Sequence, residues 1–531
     1  MVSSRMFWQS LAAILFVACA LPAGAQSFEI QCPLHTTLHP NDPTDDPAAN
    51  PAGGRIKCQQ LSGGDGFATM GDGTQTYLFS FGPLSGLADM ANGLPGTEPA
   101  IIFNTEKDDL AVGDPATSGN LDPVTHRLDP TTFNFNGAVG LSPDPEPALD
   151  SSNNPICPNG GGAGSCLTGH VDPRPIMDVG VMNGNIPAPT MAIDEDDEFF
   201  LTLTNVGMIM RPDLFEQHTV HFHGYPNASS FYDGVPDASV AINIGGSFTY
   251  YYLAPDAGTY LWHCHITPPE HLQMGMVGQL YVRPRQNRLA TGANLRDGLL
   301  AQQADLRTRS DCTADILCSS PVPPVPATPV LRAANKLYAY NDGDGSTAYD
   351  VEYPIQIHGF DPNFHFVGMT FNPEDFAGSK NKYFLLNGRS YPDTISPGPM
   401  QTQATDGTEH FSQPLPTIIN IPVGGKALLR FSDLETNEFQ TLASLGIPMH
   451  VIALNARLLR DEEGNNMAYD TNSITLGGGE SLDVILDASD TSKYSAGQIY
   501  YLYTPNLDHL SNDAENFGGL MTEVHICNAV N

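Results

Sequence analysis

His218-Thr219-Val220-His221-Phe222-His223-Gly224 and Gly258-Thr259-Tyr260-Leu261-Trp262-His263-Cys264-His265, followed by His271 and Met276, decide how this chain is read. Six of its 16 histidines fall in this stretch. Both runs carry the β-branched and aromatic residues that suit a strand. Side chains on a strand alternate between faces. His221 and His223 therefore share one face, and His218 points to the other. His263 and His265 share a face, and Cys264 opposes them. If the two strands are neighbours, His218 and Cys264 form one cluster. His221, His223, His263 and His265 form a second. His271 and Met276, from the turn and segment after Cys264, can close the first.

Two imidazoles, one thiolate and one thioether are the ligand set of a blue-copper site. A thioether is a poor zinc ligand, and a structural zinc site generally uses more cysteines. The imidazole-only cluster suits copper, zinc or iron.

Outward from these runs the sequence reads as short strands between turn residues. Phe199–Thr204, Thr219–Phe222, Ser247–Leu253, Thr259–His265 and Val277–Val282 make one set. Ile418–Ile421, Ala427–Phe431, Met449–Leu454, Leu482–Leu486, Tyr500–Tyr503 and Met521–Ile526 make another. Close spacing with turn signals predicts β-sandwiches. Residues 26–75, rich in Asp, Pro, Asn and Gly, read as an irregular arm pinned by a disulfide. Residues 76–285 read as the sandwich with the metal-ligating residues. Residues 286–345 contain Ser319-Ser320-Pro321-Val322-Pro323-Pro324-Val325-Pro326 and read as a Pro-rich linker. Residues 346–531 read as a second sandwich. The acidic run Asp342–Asp344 lacks the full twelve-residue loop of a calcium site.

The chain has 531 residues, enough for two large domains, and 51 glycines and 44 prolines favour turns over long helices. Lys and Arg number 23 against 59 Asp and Glu, a net charge of −36. Phosphate-tracking nucleic-acid binding needs the opposite balance, and anionic membranes are equally unsuited partners. Residues 1–25 read as a secretory signal: Arg5, the apolar Leu11–Leu21, then Ala23-Gly24-Ala25, with cleavage after Ala25. No later stretch is apolar enough to span a membrane. The expected location is secreted or periplasmic, where disulfides persist. Cys32 with Cys58, Cys157 with Cys166, and Cys312 with Cys318 are local pairs. Cys264 and Cys527 remain.

The sequence resembles the cupredoxin superfamily of multicopper oxidases, laccase-like and two-domain, shared with copper nitrite reductases. Asn183-Gly184-Asn185-Ile186-Pro187-Ala188-Pro189 is similar to the N-G-x-x-P-x-P start of a laccase domain. The run Gly258–His265 with Gly275-Met276-Val277-Gly278 is similar to its G-T-x-W-x-H-x-H…G-x-x-G end. Asn387-Gly388 and Leu476–Val484 resemble a second such domain. The resemblance implies an all-β chain of two cupredoxin-like Greek-key β-sandwich domains with an irregular N-terminal arm. It implies copper: His218, Cys264, His271 and Met276 at a type 1 site, His221 at a type 2 site, and His223, His263 and His265 at a type 3 pair.

The family's oxygen-reducing cluster uses eight histidines, and this domain supplies four. In 350–528 there is no H-x-H pair, and His358, His365, His450, His509 and His525 are scattered candidates. The segment His218–His223 is also similar to the nitrite reductases' H-x-V-D-F-H, with His221 in place of the acid. The leading expectation is an exported copper oxidoreductase that oxidises a metal-ion or phenol donor one electron at a time, with O2 as acceptor. The alternatives are a blue-copper electron-transfer protein with an incomplete oxygen site, and a copper nitrite reductase. The resemblance also allows a homo-oligomer, a trimer.

Overall fold

Valine, isoleucine, leucine and aromatic side chains recurring between glycine turns leave this chain little but strands to form. The computed structural model describes residues 31–40, 54–86, 89–90, 93–103, 142–143, 171–172, 183–208, 210–224, 229–254, 256–304, 321–370, 373–403, 409–513 and 515–528. The signal segment 1–25, the glycine-rich run 159–165 and the pairs Cys157–Cys166 and Cys312–Cys318 lie outside them. Among the described residues, no helix is long and apolar enough to cross a membrane.

The first sandwich is built from β1 (Ile56–Thr69), β2 (Gln75–Pro83), β3 (Met191–Asp194), β4 (Glu198–Gly207), β5 (His221–His223), β6 (Ser247–Leu253), β7 (Gly258–His263), a short helix α1 (Pro268–Gln273) and β8 (Val277–Arg283). One sheet runs β2-β1-β4-β6 and the facing sheet β3-β8-β7-β5. The parallel pairs β1/β4 and β3/β8 show chain crossing between distant elements, in contrast to simple hairpins. Phe79, Phe81, Leu201, Leu203, Tyr250, Tyr252, Trp262 and Leu280 fill the space between the sheets. Burying side chains of this size contributes roughly 1.5–3 kcal/mol each.

After helix α2 (Leu295–Gln303), the second sandwich is built from β9 (Val351–Phe360), a helix α3 (Pro362–Met369), β10 (Tyr383–Leu386), β11 (Ile419–Pro422), β12 (Lys426–Asp433), β13 (Gln440–Leu445), β14 (Met449–Leu454), β15 (Ser473–Leu476), β16 (Glu480–Asp487), β17 (Ile499–Tyr503) and β18 (Met521–Cys527). Its sheets contain the runs β10-β9-β12-β16-β14 and β11-β18-β17-β13-β15. Ile355, Leu429, Phe431, Val451, Val484 and Leu502 lie in its core.

Two expectations are corrected. Residues 26–75 are not wholly an irregular arm. Ile56–Thr69 is a 14-residue strand, nearly all buried. It pairs antiparallel with β2 and parallel with β4. Its sequence hides this, because Gln59, Gln60, Ser62 and Asp65 are polar yet buried. They bond across the fold: Gln59 Oε1 accepts from Thr97, Gln60 Nε2 donates to Thr204, Ser62 Oγ to Asn183, and Asp65 accepts from Tyr77 and the Met210 amide. The Cys32–Cys58 disulfide joins the preceding segment to this strand. Residues 286–345 are likewise more than a linker. α2 is capped by the Asn294 side chain. Tyr338, Ala339, Tyr340 and Asn341 are buried. Asp342 is occupied by Gln286, Gly345 and Thr347, and Asp344 pairs with Arg460, so the acidic run is already bonded within the protein.

The sandwiches meet through a buried polar seam. Gln279 Nε2 donates to the Arg430 carbonyl, Thr259 Oγ1 to Asp483, and Ser481 Oγ to the Thr259 carbonyl. Arg283 and Arg430 both pair with Glu352. These arginines hold the Glu352 carboxyl below its usual range against the opposing effect of burial.

Candidate metal centre

β5 and β7 lie side by side, with His263 opposite His221 and Leu261 opposite His223. Directly opposed residues on neighbouring strands share a face. The chain before β5 is pinned by a two-way bridge between His218 and Ile242, at 3.1 and 3.0 Å. His218 is therefore not within the strand expected over Thr219–Phe222, which starts at His221. It still falls in a different group from His221, held there by the bridge to Ile242 and not by strand parity.

The first group is fully buried. Cys264 Sγ lies 4.0 Å from His218 Nδ1 and 3.2 Å from His271 Nδ1. The three ligand atoms all fall within 4.8 Å of one another. The Thr219 amide points at the sulfur, 3.4 Å away. Met276 is buried beside them. Its carbonyl accepts from the Cys264 amide at 3.2 Å and its amide donates to the His271 carbonyl at 2.9 Å. Strand β1 makes room for the cluster: a Cβ at Gly63 would sit 2.7 Å from the His218 ring.

Burial pushes His218 well down, helped by nearby His271. Burial opposes charge on His271 as well, but the Cys264 sulfur, Glu216 and Glu270 outweigh it and lift His271 to about 9. Metal binding there must displace a proton. His218 Nε2 and His271 Nε2 have no hydrogen-bond partner. Two imidazoles and a buried thiol, with Met276 buried and tied to Cys264 through the backbone and no carboxylate in the group, fit copper better than a hard cation.

The second group is imidazole only. His223 Nε2 and His263 Nε2 are 2.9 Å apart, and His221 joins them within 4.8 Å. His221 Nδ1 bonds the Asp233 carbonyl at 2.7 Å, and His263 Nδ1 the Cys264 carbonyl at 2.6 Å. Those bonds take the Nδ1 protons and leave each Nε2 with a lone pair for a metal. Burial lowers His263 to about 3. His265 stands beside the group, its ring 4.9 Å from His221 and 5.6 Å from His263, outside the close triad. The cluster opens on a cleft of about 570 Å³ between the sandwiches, walled by Tyr260, Leu261, Asn455, Gly479 and Ser481.

No histidine of the second sandwich joins either group among the described residues. His365 sets one ring nitrogen against each of two carbonyl oxygens, to one of which a neutral ring donates, while His450 bonds Asp470, His509 bonds Gln440 and Glu438, and His525 bonds Glu523. His358 is buried apart from the clusters.

Two acids were not anticipated. Asp233 places a carboxylate oxygen 3.6 Å from His221 Nδ1 and lines the cleft. In sequence it is half of an Asp-Gly turn, which signals geometry and no chemistry. Glu216 stands 3.7 Å from His271 Nε2. Its only sequence cue is that it lies two residues before His218.

The multicopper oxidase family model matches residues 168–287. Laccase abr2 of Aspergillus fumigatus is 34% identical over 109 residues, 20% of this chain and 17% of that protein. Multicopper oxidase MCE of Talaromyces pinophilus is 34% identical over 108 residues, 20% of this chain and 16% of that one. The match therefore spans about a sixth of these relatives' length. Among solved structures, a blue copper oxidase from Nitrosomonas europaea aligns over 65% of this chain and 78% of its own, at 21% identity and a TM-score of 0.41. Both histidine clusters, from His218 to Met276, lie inside the stretch that matches the multicopper oxidase family model.

Proposed function

We propose that this chain is an exported, laccase-like copper oxidase that draws single electrons from an external donor at the first cluster and reduces dioxygen at the second. The observation that carries the reading is the run His263-Cys264-His265 at the end of β7. Cys264 belongs to one cluster and His263 to the other, so the two are joined by a single peptide linkage. Copper bound at the first cluster would accept electrons one at a time, and copper at the second would pass them to oxygen.

The chain's own residues support each part. Glu216, partly exposed, stands 3.7 Å from His271 Nε2 of the buried first cluster. His271, 3.7 Å away, keeps it ionised below the usual glutamate range, against burial. A metal cation or a phenol losing its proton is the donor such a carboxylate suits. Asp233, at the second cluster, is placed to hold or release a proton beside His221. Thr259, Ser481 and Asn455 keep the cleft polar and wide enough for small molecules. The Cys32–Cys58 disulfide supports a location outside the cytoplasm.

A second reading, a blue-copper electron carrier, is favoured by one observation: no described histidine of the second sandwich completes the imidazole cluster. Donors from another copy in a homo-oligomer would remove that objection. Copper nitrite reductase is a further alternative, and the Asp233 carboxylate beside His221 answers the missing acid. Copper per chain, the visible spectrum and oxygen uptake, measured together on the copper-loaded protein, separate these. A blue band with several coppers and oxygen consumption supports the oxidase. A blue band with one copper and no turnover leaves the carrier. Nitrite turnover without oxygen uptake leaves the reductase.

A further inference from the structure

Helix α3 follows β9 of the second sandwich, yet it packs on β2 of the first. Phe364 belongs to the first sandwich's core. His365, next to it, is fully buried. Its Nδ1 lies 2.6 Å from the Tyr77 carbonyl oxygen and its Nε2 2.8 Å from that of Gln273. The ring stacks on Phe360, centroids 3.6 Å apart.

Gln273 ends α1, the helix that carries His271. The last carbonyls of a helix have no partner within it and need donors from elsewhere. His365 faces one of them. Two more contacts from the second sandwich reach the same turn. Gln273 Nε2 donates to Asn381 Oδ1 at 3.2 Å. Met274 packs on Gly368, where a Cβ would be 3.4 Å from its methyl group. All three fall between His271 and Met276, the donors that close the first cluster.

A buried histidine bonded to carbonyls is ordinarily a core residue. Here its contacts converge on the one turn that spaces two metal donors. We propose that His365 is a positioning residue for the first cluster: it ties the C-terminal carbonyl of α1 to the second sandwich and so fixes the spacing of His271 and Met276. The second sandwich, with no donor in either cluster among the described residues, then contributes by clamping a site it does not line. This rests on reading the first cluster as a copper site.

The test uses the full chain loaded with copper, with His365→Phe and His365→Gln. Phenylalanine keeps the volume and the stack on Phe360 but removes the N–H donor; glutamine returns one donor. Groups that orient metal ligands from behind typically change metal affinity by 10–100-fold. His365→Phe is expected to weaken copper retention against a chelator by about that factor and to shift the visible band. His365→Gln should recover most of both. Asn381→Ala, which cuts a second tie without touching the core, should shift the band the same way by less. A wild-type band and wild-type retention in His365→Phe would overturn the proposal, as would equal losses in the phenylalanine and glutamine variants. If His365→Phe does not fold, an unchanged band in Asn381→Ala overturns it. A wild-type chain that binds no copper at all is a separate failure, of the copper reading itself, and takes this inference with it.

Discussion

The two sandwiches use histidine in opposite ways. In the first, imidazoles face one another: His223 and His263 meet at 2.9 Å, and His218 and His271 flank a buried thiol. In the second, His450, His509 and His525 each face a carboxylate, and His365 faces two carbonyls. A histidine with its own acceptor is a satisfied structural group. Imidazoles whose Nδ1 protons go to carbonyls and whose Nε2 atoms face one another, at the cost of mutual repulsion when protonated, hold lone pairs in reserve for a cation. The contrast shows that counting histidines says less than asking what each one bonds.

The sharpest way to break this contrast is Cys264→Ser. The visible band should vanish, and copper bound per chain should fall by one. A persisting intense blue band would mean that the thiol is not a ligand. Next comes a paired experiment on the two sandwiches. His221→Ala should keep the blue band but lose copper from the imidazole cluster and, with it, oxygen uptake. His509→Ala should leave copper content unchanged and cost roughly 1–3 kcal/mol, since it strips partners from Glu438 and Gln440. If His509→Ala lost copper and His221→Ala did not, the division of roles would be reversed.

Gly63→Ala tests the wall behind the first cluster. The added methyl would press on His218 at 2.7 Å. Overpacking of this kind costs about 1–3 kcal/mol. A shifted band at unchanged copper content is expected, and an unshifted one would mean that β1 yields to the methyl.

A further effect is with pH. Burial holds His365 down to about 3 and His358 to about 4. An unfolded histidine titrates near 6.5. Between those values the unfolded chain binds protons that the folded chain does not, so stability rises with pH across that window. Acidification from about pH 6.5 to 4 should therefore lower the midpoint of unfolding. His365→Gln should make that slope shallower, and an equal slope in the variant would show that His365 does not titrate as a buried neutral group.

Much of the fold was readable because strands announce themselves by alternation and composition. Phe199–Thr204, Ser247–Leu253, Val277–Val282 and Met449–Leu454 all fall in observed strands. β1 was not readable. Its buried Gln59, Gln60, Ser62 and Asp65 look like loop residues until the partners Thr204, Asn183 and Tyr77 stand beside them. Those partners are remote in sequence, and no local pattern reports them.

The same division holds for the site. Residue chemistry and the two-residue strand period put His221, His223 and His263 on one face, because that period is a property of the backbone alone; His218 and Cys264 lie just outside β5 and β7, and His265, expected with the second cluster, stands outside its close triad. Contacts across the fold were needed for the rest. Asp233 beside His221, Glu216 over His271, Gly63 behind His218 and His365 against Gln273 all depend on how separate elements pack. Spacing along a strand sets which way a side chain points, whereas only the packed sandwiches decide what it meets there.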